Sequence, residues 1–546
     1  MASRHRIDNA LRNIPMGDVE KYFNELNNII DNNSGTHDCK IISQDCYNTA
    51  APVHSNQFTR FKLTDQAMDI VDLSKGYISA SLEMDVMISS SNGNYERTSS
   101  SSAKEAAFKQ FFFIGFKSSA HIIDVYNVYS NGLLTNCKQT KARHEQFITY
   151  ASKSKEERAG RPGMYSPHEN VREMSECVCG AYIEMPKIVD IGKSIKITFD
   201  VIIQIDDLLP FSAIEYYPRF LTGELELEIS PSLTQNMVFC PVPPMAAIDL
   251  GLYNCSVPDY FATFKGCDGR LDYKFHACGD YTNAYLPYVS NSSEETGKEV
   301  AILNFTLTPS NLKIVHAKSY IHGFNIKSES KQNLVNTFSG KNLVIPAQWV
   351  DHYTFSQLPT QSSIRTNIQI PMFNATQAII TFPYTANQLV VSQNPHLDSV
   401  QFQISDRIIP DKFFSTLDKA HAEMILESLN FDSLFTAPES LIEALSRKRQ
   451  LNQYGEPFCA MKDDTDYILV FNLERFGNGC YCDGLTDNPV SINFQANFID
   501  GTSNIHYYDS SKNFRPQNLN LFIVSDAFWV CNQNGCQFVK DIATKF

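Results

Sequence analysis

Several short stretches of this chain hold residue types that could bind or react. Ile191-Gly-Lys-Ser194 has the glycine, lysine and hydroxyl of a phosphate-cradling loop. Such a loop needs a further glycine five residues before Gly192, where Lys187 stands, and it opens a helix; this stretch runs instead into alternating apolar residues. A turn ahead of a strand is the better account. Cys177-Val-Cys179 and Cys480-Tyr-Cys482, the second with Cys531 and Cys536 further along, suggest thiolate ligands. Structural zinc prefers two to four residues between paired cysteines, and on a strand the thiols of a Cys-x-Cys pair share one face as small apolar groups. Cys531 and Cys536 could also close a disulfide under oxidising conditions. His421-Ala-Glu-Met-Ile lacks the second histidine of a His-Glu-x-x-His zinc helix. Asp463-Asp-Thr-Asp466 offers hard oxygen ligands but neither the glycine nor the terminal glutamate of an EF-hand, so a solvated loop is expected. No Gly-x-Ser-x-Gly elbow is present. Carboxylate pairs from separate strands, as in a glycosidase, stay open, although only Trp349 and Trp529 are available to stack on sugars. No catalytic, cofactor-binding or metal-binding residue is assigned, and no cofactor is expected.

Charge narrows the partners. A net charge of −14 argues against nucleic acid as the main partner, because phosphate binding needs clustered lysine and arginine. The basic clusters are short: Arg4-His-Arg6, Lys153 to Arg161 with two glutamates inside it, and Arg447-Lys-Arg449. Solvated charge is expected for each. No run approaches the ~18–20 apolar residues of a membrane span, and the first residues lack the apolar region of a secretory signal. The 14 cysteines are scattered, and reduced thiols are expected.

The elements that must position these residues are strands. In Ile195-Lys-Ile-Thr-Phe-Asp-Val-Ile-Ile-Gln-Ile205 the apolar residues recur at period two, and Glu224-Leu-Glu-Leu-Glu-Ile229 alternates leucine and isoleucine with glutamate. A helix would scatter such residues around its axis, whereas a pleated strand sends them to opposite faces. The same alternation covers Ile78 to Ile88, and Ser130-Asn-Gly132 ends an apolar run on a hairpin-turn signal. Residues 1–55 read as a polar arm with one amphipathic helix, capped at Asp18 and apolar at Val19, Tyr22, Phe23, Leu26, Ile29 and Ile30. Strands of a first β unit fill 56–231, interrupted by a long polar excursion at 140–180. Residues 232–300 read as connector and elaborated loop. A second β unit spans 301–546, with a helical insertion at 411–450.

Three segments resemble a known family. They are Phe113-Ile-Gly-Phe-Lys-Ser-Ser-Ala-His-Ile-Ile-Asp-Val-Tyr-Asn-Val-Tyr-Ser-Asn-Gly132, Asp206-Asp-Leu-Leu-Pro-Phe-Ser-Ala-Ile-Glu-Tyr-Tyr-Pro-Arg-Phe-Leu-Thr-Gly-Glu-Leu225, and Leu473-Glu-Arg-Phe-Gly with Cys482-Asp-Gly-Leu485. In this order they resemble the double-jelly-roll major capsid proteins of the Polinton/Maverick, adintovirus and virophage group, distant relatives of adenovirus hexon. The resemblance implies an all-β fold of two consecutive eight-stranded jelly rolls. It further implies a homotrimer of pseudo-hexagonal outline that tiles an icosahedral shell around a DNA genome in the virion. Penton and minor capsid proteins would be its other partners, with no sequence-specific nucleic acid contact, no transmembrane segment and no enzymatic activity. The loops at 140–180 and 232–300 and the helical insertion would be outer towers or intersubunit clamps. The alternative is a carbohydrate-binding or carbohydrate-active β-sandwich protein.

Overall fold

The computed structural model describes residues 36–46, 52–90, 111–166, 179–184, 192–212, 214–231, 236–241, 275–279, 282–287, 300–338, 343–356, 363–383, 390–392, 397–404, 407–414, 419–429, 431, 435–438, 440–442, 449–451, 457–459, 466–474, 485–498, 518–532 and 534–540. The arm helix expected near 18–30 lies outside these residues.

Apart from Val53–His54, Tyr216–Tyr217 and Thr282–Pro287, which also pair in the first sheet, the strands of the first unit are β1 (Thr36–Asp45), β2 (Thr59–Lys62), β3 (Ile70–Ser90), β4 (Phe111–Gly115), β5 (Ile123–Ser130), β6 (Leu133–Gln139), β7 (Gly180–Glu184), β8 (Ser194–Gln204), β9 (Leu225–Pro231), β10 (Val238–Pro241), β11 (His276–Ala277) and β12 (Val300–Ile326). One sheet runs β1-β12-β3-β8 and the facing sheet β2-β9-β5-β6, all antiparallel. With β4, β7, β10 and β11 set aside, the eight strands pair in the order first-eighth-third-sixth and second-seventh-fourth-fifth. That double wrap is a jelly roll.

The second unit repeats it. Its strands are β13 (Leu343–Ser356), β14 (Ser363–Thr381), β15 (Leu397–Ile404), β16 (Arg407–Phe414), β17 (Leu469–Asn472), β18 (Leu485–Phe498), β19 (Asn518–Asn532) and β20 (Gly535–Val539). Strand β14 serves twice. Its first half pairs with β18, and its second half pairs with β19 and β17. The switch occurs around Asn374, whose φ of 48° lies in the left-handed region, and Ala375 pairs in both sheets. Counting the halves separately gives β13-β19-β14-β17 and β14-β18-β15-β16, the pairing order of the first roll. The chain is therefore all-β, with two consecutive eight-stranded jelly rolls.

Sheet pairing corrects the expected domain limits. Strand β12, assigned from sequence to the second unit, pairs with β3 from Phe305 to Phe324 and with β1, so it closes the first roll. Strand β1, assigned to the arm, lies in the same sheet. The first roll thus extends across 36–326, and the helix Ser328–Phe338 leads to the second roll at β13. Alternation reports which face of a strand is buried but not which strand lies beside it, so this boundary was invisible to periodicity. The helical insertion also shrinks, since 411–414 belong to β16.

The period-two residues behave as alternation requires. On β3, Ile78, Ala80, Leu82, Met84, Val86 and Ile88 are buried, and on β8, Ile197, Phe199, Val201 and Ile203 join them. At the β5–β6 turn, Asn131 and Gly132 have φ of 50° and 76°, the two positive angles that a two-residue hairpin of matching twist needs. The facing glutamates of β9 are less exposed than expected. Glu226 and Glu228 pair with Arg60, whose guanidinium lies 3.8 Å from the centre of the Tyr129 ring; Glu228 also accepts from Asn127 and Tyr129.

Candidate functional site: the seam between the rolls

The helices between the fifth and sixth strands of each roll create the site. In the first roll they are α1 (Ala142–Ala151) and α2 (Lys155–Gly160), and in the second α3 (Lys419–Ser428). Both sets cover one face of the sheet β13-β19-β14-β17. Phe147, Ile148 and Ala151 from α1 and Ile425 and Leu426 from α3 pack with Val350, Ile379, Val470, Phe522 and Val524 from that sheet. The 140–180 excursion was expected to project outward. Among its described residues, α1 is instead buried on almost every side, wedged between the rolls.

Beneath α1 and α2 lies a buried ionic knot. Lys117 Nζ donates to Asp466 Oδ1 at 2.5 Å, and Arg158 Nη1 donates to Asp466 Oδ2 at 3.0 Å and to Ser440 Oγ at 2.9 Å. Ser440 Oγ donates to the same carboxylate at 2.5 Å, and Arg158 Nη2 donates to the Tyr150 carbonyl. Lys117 and Arg158 belong to the first roll, Asp466 and Ser440 to the second. Burial opposes the charge on Asp466, but the two cations and their hydrogen bonds hold its carboxyl far below the usual carboxylate range. The aromatic rings of Tyr150 and Phe275 line the cations. Two expectations are corrected here. Asp466 is not part of a solvated loop, and the Lys153–Arg161 cluster is not a solvated face. Arg158 is fully buried, and Arg161 pairs with Asp206 and Asp207, near which Lys153 also sits.

A second buried carboxyl has no cation beside it among the described residues. Glu145 of α1 accepts from Tyr126 Oη at 2.6 Å and from the Leu209 backbone N–H at 2.7 Å. Burial outweighs these bonds and pushes it up to about 7. Next to it, His144 stacks on His352 of β13 with ring centres 3.5 Å apart and planes at 17°. Among the described residues neither nitrogen of His144 has a hydrogen-bond partner.

The last part of the seam is a strand pair shared by both cores. The β13–β19 ladder runs unbroken from Leu343↔Cys531 to Ser356↔Asn518. Leu519, Leu521 and Ile523 face the second core, whereas Ile345, Ala347, Trp349, Ala527 and Trp529 join the first. Trp529 stacks on Phe211 and donates from Nε1 to the Pro210 carbonyl at 2.8 Å. The hairpin to β20 is closed by a disulfide between Cys531 and Cys536, directly opposed across the ladder, and the Cys536 N–H donates to Ser130 Oγ of the first roll. Cys179 is also disulfide-bonded. Reduced thiols were the general expectation, with a Cys531–Cys536 disulfide held open as an alternative; the bonded pair takes that alternative, and Cys179 corrects the general expectation.

The remaining sequence candidates are dispersed. Gly192 has φ of 88° and precedes β8 as a turn before a strand. His421 is buried on α3 with its Nε2 3.3 Å from Tyr467 Oη. Cys177, Cys480, Cys482, Asp463, Asp464, Arg4, Arg6, Arg447 and Lys448 lie outside the described residues. Among the described residues no group of three or more His, Cys, Asp or Glu side chains converges as metal ligands, and no helix is long and apolar enough to cross a membrane.

Beside the seam, strands from three connections build a small sheet, β11-β10-β4-β7. Gly115 and Gly180 are opposed in it, and a Cβ at Gly180 would stand 2.6 Å from the Phe113 ring. Only glycine lets these backbones approach so closely.

No protein-family model matches the chain, and no curated protein matches it. Among solved structures it is similar to the mavirus major capsid protein, at 11% identity over 92% of this chain and 90% of that one, with a TM-score of 0.48. It is similar to a chain of the Sputnik virophage at 8% identity, covering 93% and 89% of the two chains, with a TM-score of 0.45. The Faustovirus major capsid protein matches at 7% identity over 91% and 90%, with a TM-score of 0.41.

Proposed function

We infer that this chain is a major capsid protein, a non-enzymatic building block of an icosahedral shell. The observation that carries the reading is the repetition of one eight-strand wrap twice in a single chain, with the two copies fused by the seam. Three such subunits around an axis present six similar rolls, so a trimer acquires a hexagonal outline and can tile with copies of itself. A shell unit must also transmit load without its rolls rotating, and a shared ladder with a dry ionic knot supplies that stiffness. The most reactive-looking residues, Lys117, Arg158, Asp466 and Glu145, are engaged in joining the rolls. The three family-like segments add to the reading. Penton and minor capsid proteins would complete the shell, which assembles inside the host cell and encloses a DNA genome.

The carbohydrate alternative needs two carboxylates facing an open cleft. Glu226 and Glu228, the carboxylates that alternate on β9, are instead tied up by Arg60. Solution mass measurement and negative-stain microscopy of the purified chain test the capsid reading. Trimers of three-fold symmetry and hexagonal outline are expected. A chain that stays monomeric at high concentration and forms no shell under any condition would overturn it.

A further inference from the structure

We propose that the seam between the rolls is an acid-released latch, with the stacked His144–His352 pair as its trigger. The geometry sets the trigger. The two rings are stacked at 3.5 Å across the joint, one on a helix of the first roll and one on a strand of the second. His144 is buried, while His352 is partly open to solvent and so within reach of protons. Two imidazolium rings at this separation repel, and separation of α1 from β13 is the motion that relieves them.

Among the described residues no carboxylate acts on these rings as a counter-charge. On α1 and just before it, Lys141 and Arg143 disfavour the charged form of both rings. Glu145 is held by Tyr126 and Leu209. On β13, Asp351 accepts from Trp349 Nε1 and Lys540 Nζ. From β19 come the Phe522 ring and the Asn520 side chain, both neutral. Asp124 is near Arg143. Two more buried histidines flank the ionic knot of Lys117, Arg158 and Asp466. They are His121, beside Tyr150, and His421, beside Tyr467.

The sign follows from proton uptake. Burial holds His352 and His421 down at about 4, His121 at about 3, and His144 lower still. An opened histidine takes its proton near 6.5. The stability due to the neutral rings is therefore complete above pH 6.5 and is lost as pH falls below it. Glu145 and Asp207, which burial raises to about 7 and about 6, hold their partners Tyr126, Leu209 and Arg161 within the first roll and so keep them when α1 leaves β13. Asp466 stays ionised throughout this range. Separating α1 from β13 frees the two stacked rings, while His121 and His421 keep their Tyr150 and Tyr467 partners within their own rolls; about two protons are therefore taken up on opening, and below pH 6.5 the opening constant rises up to about a hundredfold per pH unit.

Amide hydrogen exchange on the full-length, unassembled chain tests this, following residues 142–151 and 343–356 across pH 7.5 to 5 after correction for intrinsic rates. The interior strand 485–498 serves as the reference. The wild type should open its seam about a hundredfold more per pH unit below 6.5, with the reference strand still protected. The double variant His144→Phe/His352→Phe keeps the stacked rings and loses two titrating groups, so its seam should be nearly insensitive to pH. Should that variant not fold, His352→Phe alone should reduce the dependence to about tenfold per unit. A wild-type seam that ignores pH, or a Phe variant with the wild-type slope, overturns the latch. Because the protein is unassembled, failure of shell formation leaves this result intact, and a pH-insensitive seam leaves the capsid reading intact.

Discussion

Charge arithmetic at Asp466 sets the energetics of the knot. Two cations share one carboxylate, so the cluster carries a net positive charge in a site from which water is excluded. Replacing Asp466 with Asn leaves both cations uncompensated, and breaking a buried ion pair from one side costs about 3–5 kcal/mol. Lys117→Met instead leaves Arg158 and Asp466 as a balanced pair and should cost clearly less, although it removes the shorter contact. Urea denaturation of the two variants reads the difference, and equal losses would refute the charge argument. Because the Asp466 carboxyl is depressed, its stabilisation is full above the ordinary carboxylate value near ~4 and disappears only at lower pH. Glu145 has the opposite sign. Its raised value near 7 means that the folded form gains on acidification. Relative to Glu145→Gln, the wild type should lose up to about 1.4 kcal/mol per pH unit on going from roughly pH 4.5 to 7, then level off. Urea midpoints of both proteins across that range give the slope, and parallel curves would remove Glu145 from the balance.

At the scale of elements, the seam is held by pieces that the sequence disguises. Helix α1, Ala-Arg-His-Glu-Gln-Phe-Ile-Thr-Tyr-Ala, carries its polar residues into the interior, where Glu145 and His144 face neighbours instead of water. A helix buried all round has no apolar stripe to recognise, so it reads as a polar excursion. Its successor α2 did have a legible start, because Ser154 and Glu157 form a capping box. Strands such as β3 and β8 were readable because they bury alternate residues, and Asn131-Gly132 announced its hairpin, whereas β19 is buried on both faces and shows no such alternation. What periodicity lacks is the partner. That is why β12 was placed in the wrong roll, and why Asp466, in an acidic run, looked solvated while Arg158 waited 308 residues away. Trp529 shows the same long reach, and its two functions can be separated. Trp529→Phe keeps the stacking on Phe211 and loses the bond to the Pro210 carbonyl, for about 1 kcal/mol. Trp529→Ala also opens a cavity and should cost about 3–5 kcal/mol. Thermal or urea unfolding should rank the two variants in that order, and equal effects would mean that the ring itself contributes little.

For the whole molecule, the decisive feature is that the rolls do not own separate cores. The first core includes Leu343, Ile345, Trp349, Trp529 and Phe538, all from strands of the second roll. Fully burying a large apolar side chain contributes about 1.5–3 kcal/mol. Five of them together amount to about 10 kcal/mol, which is comparable to the ~5–15 kcal/mol net stability of a typical native protein. A first roll without β13, β19 and β20 would therefore expose a large apolar patch and lose most of its margin. The second roll would lose α1 from the face formed by Val350, Phe522 and Val524. Calorimetry of the intact chain at neutral pH should accordingly show one transition in place of two. Expressed separately, residues 1–338 and 339–546 should each lack near-ultraviolet circular dichroism and a cooperative melt, and mixing them should restore both signals. If either half melts cooperatively by itself, the ladder is a contact between finished domains, and the stiffness assigned to the seam must come from elsewhere.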